Sequence, residues 1–529
     1  MTIISEVPPR PNGREQGSFR SALAAEWVKF RTVRGWLVAL FVSVVLCAIF
    51  TFLVANGNHT GTCTGNGVCT SGHAFVPTGP AGEAVADSYQ YLDQPLTGNG
   101  TLTAQVGSLT GLLSTRPPNA APSTTASRPG LATWAKAGIL LTSSTNQGSP
   151  YAAVMATGGH GIRFQYDYTH DQAGLPGPAS DTSPRWIRLT RSGTTITAYD
   201  STDGTTWHEI GSTHLDGLPA TVKVGLFVTS PLDYQDSLGG VPTQATAHFA
   251  HVAVDDHAVT GGWQSRSIGT DDYYPKLGSG SSQLSSQSVV ISGSGDIAPA
   301  VNISALGGNS AAKAILFGIV VALILLIVVA TMFITAEYRR GLIRTTFTAI
   351  PQRGSVLAAK AVVIGAVAFA VGAIAAAIAV PLGIHALNSG GNYVFPDNAV
   401  TLVQVIAGAG ALLAVTAIGV LGLGTILRSS AGAVAASIVA FILPNLLGPG
   451  VLGGGSGGSG GTMTWLYRYT PAAAFSVFGT LPRSSLVSFP YNLGNGYYPL
   501  APWAGLVVLC VYAAIALAGA AFLLRRRDA

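Results

Sequence analysis

Charge is scarce in this chain. Asp, Glu, Lys and Arg make up 10% of its 529 residues, and lysine occurs six times. None of the six lysines follows a glycine, so there is no Gly-x-x-x-x-Gly-Lys-Ser/Thr loop whose backbone N–H groups would cradle nucleotide phosphates. The nearest approach, Gly307 to Lys313, has Ala312 before the lysine and Ala314 after it. ATP hydrolysis by the usual route is therefore excluded. Between residues 56 and 310 the only glutamates are Glu83 and Glu209, and neither sits in a motif pairing two carboxylates at fixed spacing. That argues against glycoside hydrolysis, which needs such a pair. The Asp255-Asp256 and Asp271-Asp272 pairs read as solvated acidic loops. There are four cysteines. Cys47 and Cys510 fall in apolar runs and read as small buried residues. Cys63 and Cys69 offer too few ligands for a metal site, and none is expected elsewhere.

Long hydrophobic runs are what the chain has in quantity. Its mean hydropathy is +0.42. One run, Trp36–Ala55, lies near the N-terminus. A long polar region follows, and then come Ala314–Ala336, Ala361–Leu387, Leu402–Leu427, Ala431–Leu447 and Trp503–Leu524. A run of about 20 apolar residues crosses a bilayer as a helix. The pattern predicts a multi-pass α-helical membrane protein of six transmembrane helices, with a large domain between the first and second. The fifth run is short and meets Pro444 and Pro449. The first run follows 35 residues of polar character and lacks a small-residue cleavage site, so it does not read as a removable signal peptide. No Asp, Glu, Lys or Arg falls inside the six runs; His385, Gln404 and Asn445 are their mild polar exceptions. Ion-coupled carriers place ionisable groups at mid-membrane. Their absence points to a subunit whose energy arrives from outside the membrane.

Orientation follows from the basic residues flanking the runs. Met1–Arg34 holds six Lys and Arg, Glu337–Lys360 five, Arg525–Arg527 three, and Arg428 stands alone. Asn56–Ser310 holds 10 Lys and Arg against 17 Asp and Glu, a net of −7. Both termini are thus expected in the cytoplasm of a plasma-membrane protein and the insert outside. The overall +5 averages a basic inner face with an acidic outer domain and does not signal nucleic-acid binding. In the oxidising exterior, Cys63 and Cys69 read as a disulfide, against the alternative of two free thiols in a flexible loop.

Residues 1–17 read as a disordered cytoplasmic tail and 18–35 as an amphipathic interfacial helix ahead of the span at 36–55. In that helix Phe19, Leu23, Trp27 and Phe30 share a face, leaving Arg20, Lys29 and Arg31 to water or phosphate headgroups. The extracellular insert covers 56–310. Within it, about 88–254 shows short alternating runs such as Gly161–Tyr168, and hairpin turns at Ser192-Gly193 and Asp203-Gly204, which predict an all-β sandwich. Asn56–Gly82 and Gly278–Ser294 read as linkers. The last part, 311–529, carries the remaining five spans and a cytoplasmic segment at 337–354, where Ile343, Phe347 and Ile350 share a face and Pro351 ends it. On periodicity alone that segment is equally a positive-inside loop without a partner.

Two resemblances sharpen this. Tyr89-Gln90-Tyr91, Trp134–Gly138, Arg163–Tyr166 and the Trp186-Ile187-Arg188-Leu189 hairpin resemble the concanavalin-like lectin/glucanase sandwich of bacterial surface proteins. That resemblance implies a glycan-binding role, with cell-wall glycan as a partner; the alternative is a structural spacer. Ala25–Trp36 and Glu337–Thr346, with Pro351–Gly354 and Lys360, resemble the permease subunits of actinobacterial type-2 ABC transporters. That resemblance implies an exporter permease that binds no cofactor itself. It implies two copies of a separate ABC ATPase subunit carrying ATP and Mg, and a second permease copy, identical or not. Glu337, Tyr338, Arg339, Arg340, Gly341 and Arg344 are then the ATPase-coupling residues. The insert departs from simpler members of that family. A membrane-anchored glycan-binding receptor or sensor is the alternative reading of the whole chain.

Overall fold

The computed structural model describes residues 19–57, 61–63, 69–71, 76–115, 127–233, 241–254, 261–269, 277–285, 288–300, 308–309, 311–339, 341, 348, 352–394, 398–447, 468–480, 485–486 and 500–527. Among them, five helices are long and apolar enough to cross a membrane. These are α2 (Arg34–Asn56), α3 (Ala311–Arg339), α4 (Arg353–Ser389), α5 (Ala399–Leu427) and α8 (Pro502–Arg527). A shorter helix, α1 (Phe19–Thr32), precedes α2.

The predicted fifth span is not one helix. It breaks at Ile442 into α6 (Ser430–Phe441) and α7 (Leu443–Leu447), neither long enough to cross alone. Pro444, which has no N–H to give a helical ladder, sits in the second residue of α7. Asn445 beside it is buried, and its amide has no hydrogen-bond partner among the described residues. A fully buried 3₁₀ helix, Pro471–Phe478, packs against the start of α8 and was not foreseen from the sequence. Small residues let α4 and α5 approach closely, as expected for membrane helices. A Cβ on Gly372 would lie 2.8 Å from the Ala409 carbonyl oxygen, and one on Gly410 2.9 Å from that of Phe369.

Between α2 and α3 lies a β domain of two large antiparallel sheets. The seven-stranded sheet runs in the order 170–173, 162–166, 151–157, 136–142, 221–229, 89–97, 264–268. The other runs 208–214, 195–201, 185–192, 100–114, 243–254, 288–293, 281–284, with 127–129 paired to the end of 100–114. One core unites them, drawing Ile139, Val154 and Leu226 from the first sheet and Leu102, Ile187, Phe249 and Ile291 from the second. The predicted turns are present: Gly193 and Gly204 have φ of +65° and +74°, which glycine adopts without a Cβ penalty. The domain exceeds the predicted bounds at both ends. Gly278–Ser294, read as a linker or extended stalk, supplies the edge strand 281–284 and its neighbour 288–293 instead, because Val289 and Ile291 alternate into the core between serines.

Strands 136–142 and 151–157 of the seven-stranded sheet are buried on both faces, so they read as continuous apolar runs such as Ile139-Leu140-Leu141. The outer face of the sheet carries Tyr89, Tyr91, Tyr151, Phe227 and Tyr168, roofed by Val85 and Ile297. Those two belong to an entry strand, Val85–Asp87, and an exit strand, Ile297–Pro299, which pair with each other. Both are pinned by buried acids. Asp87 accepts from the Tyr168 hydroxyl at 2.7 Å and from the Gly148 N–H at 2.8 Å. Asp296 accepts from Lys136 Nζ at 3.2 Å, and Lys136 is fully buried. Beyond the ribbon, Gly308–Asn309 pairs in parallel with Tyr393–Val394 between α4 and α5, and Tyr393 packs on Val76, Ala84 and Ala300. Strands Gly61–Cys63 and Cys69–Ser71 pair with Cys63 opposite Cys69. Their side chains, and with them the expected disulfide, lie outside what is described.

Burial pushes the Asp87 carboxyl up to about 6, against the opposing hydrogen bonds of Tyr168 and Gly148. The ordinary value is 3.8, so between these two pH values the folded domain binds the extra proton and the unfolded chain does not. Stability from this group is present below the lower value and is lost as pH rises through the upper one. Two units correspond to about 3 kcal/mol. A soluble fragment spanning 76–300 is therefore expected to gain a larger pH 4.5 over pH 7.5 stability difference from Asp87 than its Asp87→Asn variant retains. Urea titrations at both pH values check this; identical pH dependence in the two proteins would refute the assignment.

Candidate functional site

The chain's topology places the start of α2, the end of α3, the start of α4 and the ends of α5 and α8 at the end of the bundle far from the β domain. There α1 folds back onto α3 and α4. Its buried stripe is Ala22, Glu26 and Phe30, four residues apart and so on one helical face. Phe30 completes an aromatic triangle with Trp36 and Phe333, with ring centroids 5.4–5.7 Å apart. Two of the four apolar residues that share a face on this helix meet the bundle. Leu23 and Phe30 pack inward, whereas Phe19 and Trp27 are nearly half exposed, at 43% and 47%.

Glu26 at the centre of that stripe would be costly alone. It is met by Lys360, which rises from the first turns of α4 and is 1% exposed. Lys360 Nζ donates to Glu26 Oε2 at 2.6 Å and to Glu337 Oε1 at 2.8 Å, and lies 4.7 Å from the Phe333 ring centroid. Lys29 Nζ donates to Glu26 Oε1 at 2.7 Å and to Glu337 Oε1 at 3.1 Å. Two carboxylates and two ammoniums thus form a neutral quartet joining α1, α3 and α4. Burial alone lowers the pKa of Lys29, but hydrogen bonds and charge from Glu26 and Glu337 outweigh it and leave the group above its ordinary value. Its one carboxylate oxygen without a hydrogen-bond partner among the described residues is Glu337 Oε2, and Glu337 and Lys29 border an apolar crevice. What it can do is transmit displacement between three helices.

Neighbouring contacts extend the stitching. The Arg428 guanidinium, at the left-handed end of α5, lies 5.2 Å from the Tyr338 ring centroid. Arg353 at the start of α4 donates to the Leu524 carbonyl of α8 at 2.7 Å. Gly341 takes φ +67° and its N–H donates to the Tyr338 carbonyl, which ends α3 as a glycine in the left-handed region commonly does.

No protein-family model matches the chain. No curated protein matches it. Among solved structures, a functionally unknown protein from Saccharomyces cerevisiae aligns with 39% of this chain and 99% of its own, at 15% identity and a TM-score of 0.20. Scytalido-glutamic peptidase with a transition-state analogue inhibitor aligns with 39% of this chain and 98% of its own, at 10% identity and a TM-score of 0.24. At these scores the likenesses carry no argument about chemistry.

Of the six expected coupling residues, Glu337 is buried in the quartet and Tyr338 is half-buried against Arg428, while Gly341 is exposed at the turn. The side chain of Arg339, and Arg340 and Arg344 entirely, lie outside the described residues, as do the apolar positions Ile343, Phe347 and Ile350. Of the interfacial helix, Arg20 and Arg31 are exposed and Lys29 is drawn into the quartet. Sequence reading set Glu26 and Lys360 within the segments that carry the permease resemblance but missed that they pair. A signal was present: Glu26 lies midway between Ala22 and Phe30 on one face, and an acid there demands a buried partner.

Proposed function

We propose that this chain is the membrane-spanning permease subunit of an ATP-driven exporter of the type-2 ABC class, energised by a separate ATPase. The observation that carries the reading is the ion quartet, which flanks both ends of the 340–351 segment and ties them to α1. A push delivered to that segment by an ATPase beneath it then reaches α3, α4 and the interfacial helix together. The absence of a phosphate-binding loop from the sequence supports a partner that supplies ATP and Mg. In this proposal both termini are cytoplasmic, a second permease copy completes the pathway, and the β domain stands outside, where a concanavalin-like sandwich would contact cell-wall glycan or gate exit.

Charge reversal at the segment tests it. Expressed with its genomic neighbours, the chain is expected to co-purify with a P-loop ATPase, and Arg339→Glu with Arg344→Glu is expected to reduce that recovery at least tenfold. Recovery of the pair unchanged in the double variant, with ATPase stimulation intact, rejects the coupling role.

A further inference from the structure

Where α1 turns into α2, a crevice of about 520 Å³ opens along α3. Its wall is apolar, with Trp36, Ala39, Val329 and Met332, and its rim carries Lys29 and Glu337. Both rim groups have hydrogen-bonding capacity left over. Lys29 Nζ gives two N–H groups to Glu26 and Glu337, and an ammonium has three. Glu337 accepts both lysines on Oε1, whereas its Oε2 is buried without a partner among the described residues. The first turn of α2 opens on the same crevice, and no side chain caps it. Its free N–H groups and the helix dipole favour an anion there. Arg31 and Arg34 beside it are exposed.

A groove of this kind between membrane helices fills with hydrocarbon, and its volume is comparable to one acyl chain. We propose that it holds a single phospholipid whose headgroup carries a primary amine. The acyl chain lies along Trp36, Ala39 and Met332, the phosphate meets Lys29 and the start of α2, and the ammonium donates to Glu337 Oε2. An anionic headgroup without an amine offers that carboxylate oxygen at most a neutral hydroxyl beside its own negative charge, and a quaternary amine has no N–H to give it. The rim thus selects the headgroup and the wall holds the chain. This goes beyond the transporter reading, and its readout needs neither ATPase nor transport.

The test is native mass spectrometry of the full chain in mild detergent, supplied with phosphatidylethanolamine, phosphatidylglycerol or phosphatidylcholine of matched chains. One phosphatidylethanolamine per chain is expected, retained at least tenfold over the other two. Ala39→Phe and Met332→Trp, which narrow the groove, should each cut retention about tenfold while eluting as the parent does. Glu337→Gln should level ethanolamine against choline headgroups, and Lys29→Gln should weaken all three lipids. Equal retention of the three lipids by the parent chain overturns the proposal. So does retention that neither groove variant changes, or a Met332→Cys chain that cross-links to a second copy in place of lipid.

Discussion

A Lys360→Met chain is expected to lose about 3–5 kcal/mol of stability in its helical region, because deleting one partner of a buried ion pair strands the opposing charge. Here two carboxylates are stranded. Glu26 and Glu337 both accept from Lys360, and Lys29 alone, at 40% side-chain exposure, remains to hold them. Cys47 offers a local reporter, since it is buried against Gly318 of α3. With Cys63, Cys69 and Cys510 replaced by serine, the temperature at which a thiol dye reaches Cys47 should fall by on the order of 10 °C. Adding Glu26→Gln should return more than half of the loss, because a neutral amide no longer needs the ammonium. A Lys360→Met chain that melts with its parent would falsify the energetic role given to the quartet.

Lys136→Met should have a comparable effect on the β domain, again about 3–5 kcal/mol. Lys136 is fully buried, donates to Asp296 and to the Ile297 carbonyl, and lies 5.8 Å from the Trp134 ring centroid. Burial already raises the Asp296 carboxyl above its ordinary range, and Lys136 leads the groups acting against that shift, with the Ile297 N–H behind it. Without the ammonium, Asp296 must take up a proton or release the exit strand. Urea unfolding of the 76–300 fragment should show a lower midpoint with an unchanged slope, and Lys136→Met with Asp296→Asn should recover most of it. A single variant as stable as the parent contradicts the pinning role.

How far the sequence speaks depends on the range of the interaction. The long spans are legible because bilayer thickness dictates the length of an apolar run. The hairpins at Gly193 and Gly204 are legible because a positive φ selects glycine within a few residues of chain. Ser288–Gly293 was not, since its serines look like a linker, and its identity as a strand comes from the neighbour at 243–254. The quartet is harder still. Glu26 and Lys360 stand 334 residues apart and neither lies in a local pattern that names the other. In the interfacial helix Glu26 shares a face with Leu23 and Phe30, and what the apolar pattern does not show is the distant lysine that lets the acid go in with them.

The pairing of the entry and exit strands carries a consequence for how such a chain arises. Ala86 stands opposite Ala298, so the backbone enters and leaves the β domain only about 5 Å apart, the spacing of neighbouring strands. The domain is therefore a cassette on a closed doorway. Whatever is spliced between those two positions leaves the order, direction and handedness of the helices as they were. An ancestor with a plain loop there, a descendant with a different module, and an engineered chain carrying a fluorescent or affinity domain would all share one helical chassis, and none would need it repacked.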